Sequence, residues 1–301
     1  MNALDCAGVR IVPQVYTRSM MSPRPARKAL LMLGSLGAGI LLLSGLSDAA
    51  SAQGRLEAHY EATLAGLPVG KGSWAIDIAD DQFSAAAAGG TSGLLKAFAA
   101  GSGTGAALGR VVNGVLVSTN YTASTTTPKK SESIHMLLAN GTIKEYGIDP
   151  EPPVDPDRLP VTDAHRRGVL DPMTGSMLRV PGTGDPLSPD ACHTGAAVFD
   201  GRMRYDLKLD FKRMETVKAD KGYQGPVVVC ALYFAPVSGY IPDRPVIKYL
   251  SAQRNMEIAF APLAGTRILV PFRRTVPTPL GTAMLEATQF IATATHVAKT
   301  N

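Results

Sequence analysis

Residues 202–212 alternate without a break. Met203, Tyr205, Leu207, Leu209 and Phe211 hold the odd positions, and Arg202, Arg204, Asp206, Lys208, Asp210 and Lys212 hold the even ones. Successive side chains of an extended chain point to opposite faces, so this period of two predicts a strand with one apolar and one charged face. Asp200-Gly201 precedes it and suits a tight turn, which makes 196–199 the expected partner strand. The same pattern recurs elsewhere. Leu56, Ala58, Tyr60, Ala62 and Leu64 alternate with polar residues, and 66–70 supplies turn residues. A return strand over 72–78 then carries Trp74, Ile76 and Ile78 on one face.

Further strands are expected at 83–88, 111–122, 131–138 and 143–146, the last two joined by Asn140-Gly141, a strong hairpin signal. Residues 92–100 read as a mobile flap or a single helical turn, and the Gly-rich 101–105 as a flexible turn. Five prolines between 149 and 160 exclude a central strand or a helix interior, so this stretch is expected to cross an edge or end of the sheet. Asp171-Pro172 suits a helix start, with Met173, Met177 and Leu178 on one face and Pro181-Gly182 at its end. Residues 227–234 form a continuous apolar run, as in a strand covered on both sides. Strands at 247–254, 256–260, 267–275 and 282–291 complete the series. About a dozen short strands with one or two short helices predict a mainly β fold: an antiparallel barrel, open or closed, or a strongly curved sheet, as a single domain over 53–301.

Residues 1–52 are read apart from that domain. Arg24, Arg27 and Lys28 precede an apolar run at 29–46, and Ala50-Ser51-Ala52 supplies small residues for a signal peptidase, so a cleavable secretory signal ending at Ala52 is expected. A retained membrane anchor is the alternative. Met20 or Met21, just upstream of the basic cluster, is the expected translation start, and no Cys follows the run where lipid attachment would require one. Without residues 1–52 the net charge falls from +5 to about +2, and no basic block is interleaved with aromatics, so nucleic acid is not an expected partner. Only Cys192 and Cys230 then remain. In an oxidising compartment the pair is expected to form a disulfide, with two free thiols as the alternative.

Three motifs in order carry a family resemblance: Val198-Phe199-Asp200-Gly201-Arg202 with Arg204-Tyr205-Asp206-Leu207; Gly222-Tyr223 with Gly225-Pro226-Val227 and Val229-Cys230; and Pro236-Val237 with Gly239-Tyr240 and Pro242. The opening hairpin with its Gly-x-Pro-Val-Gly turn and Val169-Leu170-Asp171-Pro172 agree with them. Together they resemble the DUF3108 family of exported bacterial proteins, in its alphaproteobacterial form. The resemblance implies a periplasmic β-rich domain similar to the open barrels of lipoprotein carriers. It brings no catalytic residues.

The chemistry-bearing residues are dispersed. His59, His135, His165, His193 and His296 show no metal-binding spacing, so no metal and no cofactor is expected. No Gly-x-Ser-x-Gly hydrolase elbow is present. Asp206 and Asp210 are expected to form ion pairs across strands, and the pairs Lys129-Lys130 and Arg273-Arg274 to belong to solvated faces. If the sheet curls, Tyr60, Trp74, Tyr121, Tyr205, Phe211, Phe260 and Phe272 would line its concave side, either filling the core or forming a site for a lipid or other apolar envelope molecule. The expected role is that of a non-enzymatic binding or carrier protein. The alternatives are a hydrolase of envelope polymers using Asp163 or Asp171 beside His165, and an assembly factor that pairs with an envelope protein through a sheet edge.

Overall fold

The computed structural model describes residues 53–93, 96 and 99–295. The segment read as an export signal lies outside the described residues, as does most of the helical turn or flap expected near Leu94. No described helix is long and apolar enough to cross a membrane.

The first seven strands form a meander of hairpins: β1 (Gly54–Leu64), β2 (Leu67–Ile78), β3 (Gln82–Thr91), β4 (Ser102–Val112), β5 (Val115–Thr126), β6 (Ser131–Ala139) and β7 (Thr142–Asp149). Asn113-Gly114 and Asn140-Gly141 turn two of these hairpins with positive φ at both residues, the geometry whose twist matches that of the flanking strands. The Asn113-Gly114 turn divides the single strand expected over 111–122. The Gly-rich stretch at 101–105 begins β4 and is no turn: its glycines stand opposite Gly89 and Ala87 of β3.

The remaining strands are β8 (Leu178–Arg179), β9 (Thr194–Phe199), β10 (Arg204–Lys218), β11 (Lys221–Gly222), β12 (Gln224–Ser238), β13 (Glu257–Pro262), β14 (Ile268–Thr278) and β15 (Gly281–Ala294). They complete a sheet ordered β7-β6-β5-β4-β3-β2-β1-β15-β14-β13-β12-β10-β9, with β8 beside β14 and β11 beside β15. All pairings are antiparallel except the short β11–β15 contact. β9 and β10 join at the expected Asp200-Gly201 turn, where the Asp200 carboxylate accepts hydrogen bonds from the Arg202 and Met203 amides.

The sheet is not closed. Its end strands, β7 and β9, do not pair with each other. The segment around 167–170 lies between them. The Val169 amide donates to the Gly141 carbonyl and the Leu170 amide to the Ala197 carbonyl, and Leu170 accepts from the Phe199 amide. Val169 is 1% exposed.

Two apolar clusters fill the structure, and β12 feeds both. Val227 and Val229 belong to the larger one with Leu56, Ile76, Phe83, Met136, Phe199 and Phe290. Val228 and Cys230 belong to the second, with Cys192, Leu209, Ile258, Phe260 and Leu269. Alternate residues of one strand thus enter two cores, which is why 227–230 reads as an unbroken apolar run. Cys192 and Cys230 form a disulfide with a Cα–Cα distance of 5.5 Å, anchoring the 189–192 turn to β12.

Three expectations are corrected. The strand expected at 247–254 is a helix, α1 (Pro245–Ala252), with Pro245 in its first turn, where a missing amide proton is harmless. Val246, Ile247, Tyr249 and Leu250 fit helical spacing as well as a strand. The helix expected after Asp171 shrinks to a single turn, Thr174–Ser176. Asp171 caps that turn, its Oδ1 accepting from the Met173 and Thr174 amides, but the chain then extends into β8 and pairs with β14. On β10 the ion pairs of Asp206 and Asp210 run along the strand, to Arg204 and Lys208, because each partner lies two residues away on the same face.

Candidate functional site

Two adjoining cavities, both partly open to solvent, lie on the concave side of the strongly curved sheet. The first, about 420 Å³, lies against the inner faces of β1, β2 and β3 and under the 172–176 turn. Register explains the space. Tyr60 stands opposite Gly72, Gly72 opposite Gly89, and Gly89 opposite Gly103. Residues directly opposed on neighbouring strands share a face, so this rung has one large ring followed by three positions with no side chain. Ala62 and Gly70 continue the small-residue floor. Trp74, Tyr121, Met173 and Leu285 form the walls. The second cavity, about 240 Å³, is lined by Leu116, Met177, Leu207, Leu232, Ile258 and Phe260 among others. Ser176 and Arg274 line both.

Arg273 and Arg274 meet different fates because neighbours on a strand face opposite ways. Arg273 stands opposite Glu286, hydrogen-bonds it at 3.2 Å, and also reaches Glu215 at 2.6 Å. Arg274 stands opposite Leu285 and faces the cavities. Among the described residues its guanidinium has no ion pair within 4.0 Å and no hydrogen bond. Burial pulls its pKa below the usual arginine value, while the neighbouring Tyr60 and Tyr205 work in the opposite direction. Sequence reading missed this residue by treating both arginines as solvated. The signal was present in their adjacency: on a strand dry on one side, two consecutive residues cannot both face water.

The tyrosines around it are held neutral. Tyr60 donates its hydroxyl proton to the Pro271 carbonyl at 2.8 Å, and burial raises its pKa well above the usual value. Tyr121 is pushed up to about 12, by burial first and then by the charges of Asp171 and Asp200. Tyr205 is raised too, chiefly by burial, and its ring packs on Phe234 at 5.4 Å. The indole Nε1 of Trp74, the only tryptophan in the chain, is buried without a hydrogen-bond partner among the described residues, as is Oδ2 of Asp171.

Of the aromatic residues singled out from sequence, the structure brings Tyr60, Trp74 and Tyr121 to the first cavity and Phe260 to the second. Tyr205 lies close enough to Arg274 to feel its charge. Phe211 and Phe272 line neither cavity. A β-bulge between Phe211 and Arg213 breaks the alternation and leaves Phe211 36% exposed, whereas Phe272 is enclosed by Phe290 and Tyr223. The hydrolase candidates do not converge. Asp163 and His165 sit on an exposed turn, Asp163 paired with Arg166 and the His165 ring engaged with Thr162, while Asp171 is buried and occupied in capping. Among the described residues no three His, Cys, Asp or Glu side chains gather as a metal site would require.

An open, strongly curved antiparallel sheet around an apolar cavity defines the class: a barrel-like β protein with room inside. The chain belongs to the family described as "Protein of unknown function (DUF3108)", whose model matches residues 59–288. No curated protein matches the chain. A solved structure, a beta-barrel-like protein of domain of unknown function DUF1849 from Brucella abortus, is similar over 80% of this chain and 98% of that one, with 9% identity and a TM-score of 0.43.

Proposed function

We propose that this protein binds an apolar or amphipathic molecule within the curved sheet, acting as an exported, non-enzymatic carrier or sensor in the bacterial envelope. The observation that carries the reading is the row of glycines beside Tyr60. Strand positions that could hold core side chains hold none at Gly72 of β2 and Gly89 of β3, and the cavity they line has the size and apolar lining of a small-molecule site. The Cys192–Cys230 disulfide supports residence in an oxidising compartment.

The test uses Trp74 as a reporter. A brominated acyl chain, which quenches an indole on contact, should quench the fluorescence of the purified protein saturably. Ala62→Leu, which places three more carbons on the cavity floor, should abolish quenching without lowering the melting temperature. Quenching that never saturates, or is indifferent to Ala62→Leu, would refute the reading.

A further inference from the structure

We infer that the molecule bound in the cavity carries an anionic head, a carboxylate or a phosphate, and that the Arg274 guanidinium and the Trp74 indole N–H receive it. This rests on the preceding reading of the cavity as a ligand site and names the chemistry of its occupant. Arginine and the indole nitrogen are donor-only groups: neither can accept a hydrogen bond. Both stand on the wall of the same apolar cavity, and the described residues offer an acceptor to neither. Trp74 is 8% exposed.

Other polar groups at the wall do not serve as the missing partners. The Tyr60 and Ser176 hydroxyls donate to the Pro271 and Pro172 carbonyls, both at 2.8 Å, and although each oxygen keeps lone pairs, neither accepts a hydrogen bond from Arg274 or from the Trp74 indole. Asp171 has one oxygen committed to backbone amides, and neither it nor Asp200 reaches Arg274 as an ion pair. A guanidinium stays charged in proteins, so burial cannot neutralise it, and an uncompensated cation in an apolar setting is costly. A ligand head with negatively charged oxygens would supply the acceptor that the Arg274 guanidinium and the Trp74 N–H each lack. The tail of the same ligand would lie along the apolar walls, and because Arg274 lines both cavities, a head held there allows the tail to enter either one.

Calorimetric titration with oleate and with oleyl alcohol, which share a tail and differ in the head, tests the inference. Oleate should bind the wild-type protein at least about tenfold more tightly than the alcohol. Arg274→Gln should weaken oleate roughly 10- to 100-fold, the range of a lost charge-assisted hydrogen bond, and leave the alcohol within about twofold. Trp74→Phe, which keeps the ring and removes the N–H, should weaken oleate by a smaller factor, roughly 3- to 10-fold. Arg273→Gln, one residue away on the opposite face, should leave oleate binding unchanged. Equal binding of acid and alcohol, or an oleate affinity indifferent to Arg274→Gln, overturns the anionic head while the cavity reading stands. Failure of both molecules to bind, together with unsaturable quenching of Trp74, overturns the two readings together.

Discussion

Tyr146 on β7 and Phe199 on β9 meet edge to face with ring centroids 5.3 Å apart, although their strands are the two ends of the sheet and do not pair. Arg166 covers the Tyr146 ring at 5.5 Å, Arg202 pairs with Glu132 across the same line, and Gly201 packs against Ile134. Side chains thus join edges that backbone ladders leave apart. In a double-mutant cycle with Tyr146→Leu and Phe199→Leu, the pair should show a coupling of about 0.5 to 1.5 kcal/mol. Phe199→Ala alone should cost about 3 to 5 kcal/mol, because the ring is fully buried. Urea titrations of the four proteins measure both quantities.

The disulfide closes a loop with a sequence separation of 38 that contains all of β9 and β10. In the chain-entropy account its removal should lower stability by about 4 kcal/mol. The paired variant Cys192→Ala/Cys230→Ala should show this loss in oxidising buffer, and the wild type should show it only after reduction. A denaturation midpoint indifferent to reductant would contradict it.

The outer face carries a chain of ion pairs in which Glu215 bridges Arg273 and Arg213, and Glu257 bridges Arg213 and Lys212. Burial tends to raise both carboxyl pKa values, but the hydrogen bonds and charges of the cations outweigh it and hold both below the ordinary glutamate value of 4.5. A carboxyl depressed in the folded state contributes stability above its unfolded pKa and loses that contribution as pH falls through the folded one. Stability should therefore decline on acidification below about pH 4.5. Glu215→Gln should flatten the decline and cost about 1 kcal/mol at neutral pH, a modest figure because the network is partly solvated. Melting temperatures from pH 3 to 7, as rough limits, report both effects.

Gly239 has a φ of +76°, and a Cβ placed there would lie 1.9 Å from the Arg202 carbonyl oxygen. Gly239→Ala should therefore destabilise by at least about 2 kcal/mol, combining left-handed strain with a backbone clash. Gly182, also at positive φ but in open space, serves as the control, and Gly182→Ala should cost about 1 kcal/mol.

Arg274→Met should raise the melting temperature of the ligand-free protein. Replacing an unpaired guanidinium on an apolar wall by a thioether removes a desolvation penalty and keeps the packing volume, for a gain of about 1 to 3 kcal/mol. Thermal unfolding of delipidated protein measures it. A lower melting temperature would mean that the cation has a partner within the fold.

Much of this architecture was legible in the sequence, because its strands have clean local signatures. Tyr205, Leu207 and Leu209 alternate with Asp206 and Lys208, Asn140-Gly141 dictates its own turn, and Val227 to Cys230 can be apolar throughout only if both faces are covered. Helix α1 differs from the expected strand because eight residues with Val246, Ile247, Tyr249 and Leu250 satisfy two periodicities at once. The 167–170 link was invisible because contacts of one residue with each edge leave no pattern. Four of the seven aromatic residues reached the cavities; of the rest, Phe211 stands at a bulge of β10 and Phe272 packs against Phe290 and Tyr223 instead. The adjacency of Arg273 and Arg274 requires that one of them face inward, and only the register of β14 against β15 decides that it is Arg274.

A closed barrel has its girth set by strand number and stagger. Here the circumference ends at β7 and β9 and is completed by three backbone hydrogen bonds to residues 169–170. The space inside is therefore governed by curvature. A displacement of that one segment would change the circumference with every ladder between strands intact, whereas the same change in a closed barrel would require a ladder to break.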